Sequence, residues 1–249
     1  MFSFCIQAIT CKMTRATPPA TGGRGAHGGT DQEMARETVP QRRAERKELT
    51  RQALINATID QIAASGFAET TLAKVSRRAS VSRGLVNFHF ASKDQLLVET
   101  LRFLTVEYLQ FWQKALTKTG LDAAGRLVAL IEADFHPQVC NRKKIAVWYA
   151  FWGEARSRPT YMEVCAAADR EYIAAVNGLC REIAEQGGYR ISSVAVSRGL
   201  RAMIDGLWLE LLLSPQNFDR TAAKRTCLLH LALAFPKHFS GIEVSVDAA

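Results

Sequence analysis

Residues 148–152 read WYAFW, four aromatic side chains in five positions, in a chain that is only 8% aromatic overall. On a helix, Trp148 and Trp152 are i and i+4 neighbours, with Phe151 and Ile145 beside them and Tyr149 further round. Such rings can wall an aromatic box for a quaternary ammonium, each contributing about 0.5–2 kcal/mol by cation–π attraction. They can equally be plain core. Trp112, Phe135 and Trp208 are further candidate ligand-binding rings. Asp205, three residues before Trp208 in a strongly apolar stretch, is the acid best placed to complement a cation. A buried acid needs a partner or its pKa rises. A cationic ligand is one such partner, and an internal Arg or a helix terminus is another.

A second group has a different chemistry. Residues 42–93 hold ten basic side chains against four acids, an excess of six in a chain whose net charge is +8. A small basic module beside a balanced body points to a polyanion, and nucleic acid is the default partner. Within it, "SRGLVNFHF" places Ser82, Arg83, Gly84, Asn87 and His89 on the outward side of a short helix. Arg can pair bidentately with guanine and Asn with adenine, and Gly84 lets the helix approach the groove closely. Arg42, Arg43, Arg46, Thr71, His89 and Lys93 complete the candidate DNA contacts, with Lys93 and His89 assigned to phosphate.

These side chains have to be positioned by helices. Leu, Ala, Ile, Glu, Arg and Lys dominate the periodic segments, proline falls mostly outside them, and no strand-like alternation stands out, so the chain reads as all-α. A helix with the stripe Leu49, Ala53, Ile55, Ala57, Ile59, Ile62, Ala63 ends at Ser65-Gly66. Thr71 caps "LAKVSRRA", Ser82 caps "RGLVNFHF", and Ser92 with Gln95 forms a capping box for a long helix over 93–116. Leu72, Val75, Ala79, Val81, Leu85 and Val86 supply the contact between the two short helices. Further helices are expected over about 122–135, 138–157, 159–186, 192–214 and 219–236, punctuated by Pro137, Pro159, Gly187-Gly188, Pro215 and Pro236. The expected domains are a disordered tail at 1–40, a helix-turn-helix module at 41–92, a helical body at 93–238 and a flexible tail at 239–249. Met1, Met13 and Met34 are all possible starts.

Several classes are disfavoured. There is no nucleophile elbow, P-loop or dinucleotide fingerprint, and His136, His230 and His238 do not pair with acids at useful spacing, so no enzyme is expected. The six cysteines have neither metal-ligand nor disulfide-framework spacing, so no metal and no cofactor is expected, and the thiols should be free in a reducing cytoplasm. No uncharged apolar run reaches the ~18 residues that a membrane span needs.

Residues 42–97 resemble the DNA-binding domain of TetR-type transcriptional repressors. The resemblance rests on Thr71, Val75, Ser76, Ala79, Val81, Ser82, Gly84, Phe90, Lys93 and Leu96 at the family's spacing. Ser80 stands where the family has its turn glycine, Asn87 replaces the usual tyrosine, and Phe88-His89 precede Phe90. If the turn needs a left-handed backbone, Ser80 costs about 1 kcal/mol. The resemblance implies a C-terminal helical domain that binds a small molecule and pairs two chains over a palindromic operator. The helices at 192–214 and 219–236 are apolar enough to form that homodimer interface. "AVWYAFWGEARSRPTY" and "GLRAMIDGLWLELLLS" resemble the ligand domain of BetI-type repressors, extending the likeness over about 42–236. That implies control of a choline-to-glycine-betaine pathway, with choline as the possible effector. A drug-like or lipid-like effector is the alternative.

Overall fold

A computed structural model describes residues 39–241. The elements are α1 (Val39–Ser65), α2 (Leu72–Arg78), α3 (Arg83–His89), α4 (Lys93–Leu116), α5 (Ala123–Asp134), α6 (Arg142–Ala155), α7 (Pro159–Gly187), α8 (Ser193–Leu213) and α9 (Arg220–Ala234). No strand occurs among the described residues. The expected tail at 1–38, with Met1, Met13, Met34, Cys5 and Cys11, and the end at 242–249 lie outside them. Phe239 is buried, its amide donating to the Phe235 carbonyl at 3.2 Å, so core packing reaches into the start of the stretch expected to be a tail.

Local chemistry explains where the helices begin and end. Thr71, Ser82, Ser92, Asp122, Asn141, Ser192 and Asp219 each accept a bond from a first-turn backbone N–H. The Ser92 cap has a variant reciprocal bond: Gln95 Oε1 accepts from the Ala91 amide at 2.6 Å, one residue earlier than in the usual box. α7 starts on a proline and stops at Gly188, which is left-handed at φ 65°.

Val75, Val86 and Phe90 are the buried centre of the α2–α3 unit, with Leu72, Ala79 and Val81 packed partly against it. Two expectations fail here. Leu85 is 36% exposed rather than buried between the helices, and Leu49 is 72% exposed. The buried stripe of α1 begins at Leu54, and residues 41–49 are exposed. Ser80 does adopt the left-handed backbone, at φ 55°.

In the body, α7 and α8 pack extensively on each other, α4 and α5 lie on α7, α6 bridges α7 and α8, and α9 covers α8 and α5. α8 and α9 cross closely: a Cβ on Gly199 would stand 2.8 Å from the His230 ring. The small domain is fastened to the body by Phe67, whose ring meets Phe151 of α6 at 5.6 Å and Tyr161 of α7 at 6.0 Å. Two ion pairs flank this clasp, Asp60–Lys143 at 2.6 Å and Asp94–Arg158 at 2.9 Å.

Candidate ligand cage and nucleic-acid interface

Tyr108 of α4, Trp148 and Trp152 of α6, Cys165, Ala168 and Asp169 of α7, and Arg201 and Trp208 of α8 wall a cavity with about 290 Å³ of empty space between its atoms. The space is narrow and admits little more than one water. Its rings touch one another. Tyr108 meets Trp148, Tyr172 and Trp208 at centroid distances of 6.4, 6.0 and 5.7 Å. Trp148 meets Trp152 at 6.0 Å, and Trp112 sits edge-on to Tyr172 at 5.8 Å. Three of the chain's four tryptophans therefore line this wall, and Trp112 lies two rings behind it, through Tyr172 and Tyr108.

The WYAFW segment divides its labour by helical phase. Trp148 and Trp152 face the cavity, whereas Phe151 points the other way, onto Phe67 and Tyr161. Tyr149 stands behind the wall, edge-on to Trp152 at 4.9 Å, and its hydroxyl donates to the Asp205 carbonyl at 2.6 Å. Phe135 is buried but does not line the cavity; its carbonyl accepts from Arg220.

Behind the rings is a polar network with Asp134 at its centre. This carboxylate is fully buried and accepts from the Tyr108 hydroxyl at 2.6 Å and the Tyr172 hydroxyl at 2.5 Å. Its backbone carbonyl accepts from Trp208 Nε1 at 3.2 Å. Burial pushes the Asp134 carboxyl up to about 6 despite the two tyrosine hydrogen bonds and the nearby Arg201 that favour its charged form. The same burial, and then the charge of Asp134, raise both tyrosines well above their usual range, so they remain donors.

Asp205 is not waiting for a ligand. Its Oδ1 lies 3.3 Å from Arg201 Nε one helical turn earlier, and about a third of the side chain is exposed. Burial raises its pKa, against the pull of Arg201. Arg201 also reaches Asp169 at 3.2 Å and donates to the Tyr108 hydroxyl at 3.1 Å. Its guanidinium carbon lies 5.0 Å from the Tyr172 centroid and 6.0 Å from that of Tyr108. Of the three partners open to Asp205, an internal arginine is the one it pairs with.

The sequence reading left out Tyr108, Asp134, Tyr172, Arg201 and Asp169. A signal existed for some of them. Asp134 continues the Leu127–Leu130–Ile131 stripe of α5, and Arg201, Asp205 and Trp208 share one face of α8. A charge at a core position of an amphipathic helix marks a group with a buried partner.

On the other domain, Ser82, Arg83, Gly84, Asn87 and Phe88 of the α3 segment are exposed together. The Ser82 hydroxyl is occupied as the helix cap. A Cβ on Gly84 would meet nothing closer than Ser82 Oγ at 3.8 Å, so no internal contact requires glycine there and the open space faces outward. Thr71 likewise caps α2 through its hydroxyl. Arg42, Arg43 and Arg46 are exposed on the first turns of α1. Lys93 is half-buried, with its ammonium 5.8 Å from the Phe67 ring. His89 packs against Phe88 at 5.3 Å, and burial, with Lys47 and Arg51 nearby, lowers its pKa.

The comparisons with known proteins divide along the same lines. Residues 54–100 match the tetR family of bacterial regulatory proteins, and residues 123–236 match the BetI-type transcriptional repressor C-terminal family. The HTH-type transcriptional regulator BetI of Paraburkholderia xenovorans (strain LB400) is 33% identical over 180 residues, covering 72% of this chain and 90% of that protein. The BetI regulator of Paraburkholderia phymatum is 34% identical over 179 residues, with 72% and 89% covered. Among solved structures, a transcriptional regulator of Pseudomonas aeruginosa PAO1 aligns with a TM-score of 0.68 and 28% identity, over 86% of this chain and all of that one. A transcriptional regulator of Saccharomonospora viridis, solved in complex with choline, shares the fold at a TM-score of 0.65 and 21% identity, over 72% of this chain and 94% of that one. A head that presents α3 outward, a body built round one aromatic wall, and matches to both halves lead to one assignment: the chain belongs to the TetR family of transcriptional regulators, with a ligand domain of the BetI type.

Proposed function

We propose that this regulator is a cytoplasmic, dimeric repressor of choline and glycine-betaine pathway genes, released from a palindromic operator by a small quaternary ammonium. The observation that carries the effector class is the convergence of four helices' aromatic rings round a position already suited to a cation, since Arg201 satisfies cation–π geometry there. The choline complex of the Saccharomonospora viridis regulator supports the idea that this fold can house such a ligand. A lipid-like effector is disfavoured by the charged side chains of Asp169 and Arg201 in the cavity wall. Arg42, Arg43, Arg46, Arg83, Asn87 and His89 are the proposed DNA contacts, with Arg83 and Asn87 reading base edges. α6 supplies the coupling. One face carries Trp148 and Trp152 of the cage and the other presses Phe151 on Phe67 of the DNA-binding domain, so a shift of α6 on ligand binding moves the head.

The test is a titration of the purified protein with choline, glycine betaine, betaine aldehyde and 3,3-dimethylbutan-1-ol, the uncharged isostere of choline. Thermal midpoint and tryptophan emission are read together, because three of the four tryptophans line the cage. A rise in midpoint with choline, none with the isostere, and weaker binding to the chain's own upstream DNA is the expected result. No response to any of the cations sinks the effector class. Binding to upstream DNA no tighter than to random DNA at moderate salt sinks the repressor reading.

A further inference from the structure

The cage already contains a positive charge. Arg201 enters from α8 with its side chain only 12% exposed, and its guanidinium lies over Tyr172 while donating to the Tyr108 hydroxyl. We propose that Arg201 is a tethered competitor of the effector: its guanidinium holds the cation position, and a quaternary ammonium binds by displacing it outward from the tyrosine rings while it keeps its pairs with Asp169 and Asp205. This rests on the quaternary-ammonium reading above.

Three observations carry it. The cavity has no room for a second cation beside the guanidinium, and two positive charges in one water-poor cage repel strongly. The arginine can leave the rings without losing its charge partners, because it already pairs with Asp169 and Asp205 at 3.2 and 3.3 Å, and those side chains are 45% and 35% exposed. On its inward side the guanidinium is held by one hydrogen bond, to the Tyr108 hydroxyl, and by the Tyr108 and Tyr172 rings, and Tyr108 is secured independently by Asp134. A quaternary ammonium has no N–H to donate, so it replaces only the cation–π part of this arrangement. The Asp134–Tyr108–Tyr172 triad stays closed around it. The wild-type affinity is then reduced by the fraction of molecules in which Arg201 has moved out.

The test compares the full chain with its Arg201→Ala and Arg201→Gln variants, the second keeping a donor for Asp205 should the first fail to fold. Choline, tetramethylammonium and methylguanidinium, which stands in for the arginine head group, are titrated by tryptophan emission, with helicity checked by circular dichroism. Choline is expected to bind the folded variant at least ten-fold more tightly than wild type. Methylguanidinium is expected to bind the variant, compete with choline there, and leave wild type unaffected. Choline binding equal to or weaker than wild type in a folded variant overturns the proposal and makes Arg201 a supporting ligand of the effector. Failure of methylguanidinium to bind the variant also overturns it. If neither protein binds a quaternary ammonium but methylguanidinium still binds the variant, the effector class falls while Arg201 as occupant of the cage stands.

Discussion

Burying the Asp134 carboxyl removes it from water, and two tyrosine hydroxyls return only part of the lost solvation. Its folded pKa of about 6 lies above the ordinary value of 3.8, so between these values the folded state holds a proton that the unfolded state has lost. The stabilisation this proton brings is complete below the lower value and is lost as pH rises through the upper one. Between pH 4.5 and 7 the loss is about 2 kcal/mol for a group shifted this far. Asp134→Asn should flatten that segment of the stability–pH curve, as measured by urea unfolding at the two pH values. A parallel curve in the variant would show that the carboxyl is not so perturbed. Ser80 is a separate cost at the same scale. A non-glycine residue at φ 55° is strained, and a glycine there relieves the strain while making the unfolded chain more flexible. Ser80→Gly should therefore raise stability by about 0.5–1 kcal/mol, seen as a higher thermal midpoint with DNA binding unchanged. The thiols add no chemistry at this scale: burial pushes Cys140 and Cys165 up to about 11 and Cys180 and Cys227 up to about 12, so all four stay protonated.

α6 is the element on which the two sites meet. It has 14 residues, and its aromatic side chains project toward the cage on one side and the DNA-binding domain on the other. The clasp round Phe67 is made of ring contacts and partly exposed charge, including the Arg158 guanidinium 5.6 Å from the Phe67 ring. An edge-to-face aromatic contact of this kind contributes about 0.5–1.5 kcal/mol. Phe67→Ala should keep specific DNA binding but reduce the ligand-induced loss of operator affinity by about 3–10-fold, the factor those contact energies convert to. Fluorescence anisotropy of labelled operator with and without choline reads that ratio directly. A ratio equal to wild type would move the coupling to another element, with α4 the first alternative because it starts beside the clasp at Asp94 and carries Tyr108.

The body alone leaves an apolar face uncovered. Leu213 and Leu233 are 71% and 77% exposed, and Val194 and Leu209 add to the same pair of helices, α8 and α9. Exposed large apolar side chains on these neighbouring helices are what the proposed homodimer would cover. Leu233→Glu should shift the protein toward monomer in sedimentation equilibrium. It should also weaken operator binding at least ten-fold, because a single head contacts one half-site. An unchanged dimer would place the interface elsewhere. None of the described helices is long and apolar enough to cross a membrane.

How much of this was legible in the sequence differs by kind of information. Helix positions were nearly all readable, because caps, prolines and glycines act within a few residues: Thr71, Ser82, Ser92 and Gly188 do in the fold what their local chemistry predicts. The outward face of α3 was readable for the same reason, being set by a cap and a turn. The turn at Ser80 was marked only by the family resemblance, which has glycine there, and the fold gives it φ 55°. Pairing across the fold was not readable. Trp148 and Trp152 could be placed on one face of a helix, but only packing decided that this face meets Tyr108 and Trp208 while Phe151 meets Phe67. Asp205 could be flagged as an acid needing a partner, and the fold chose Arg201. Asp134 and Tyr172 are 38 residues apart, and nothing in the spacing of either announces the other. A helix repeats every 3.6 residues, so sequence reports the face a side chain occupies. What stands opposite that face depends on which helices pack together, and that was decided by the tertiary structure.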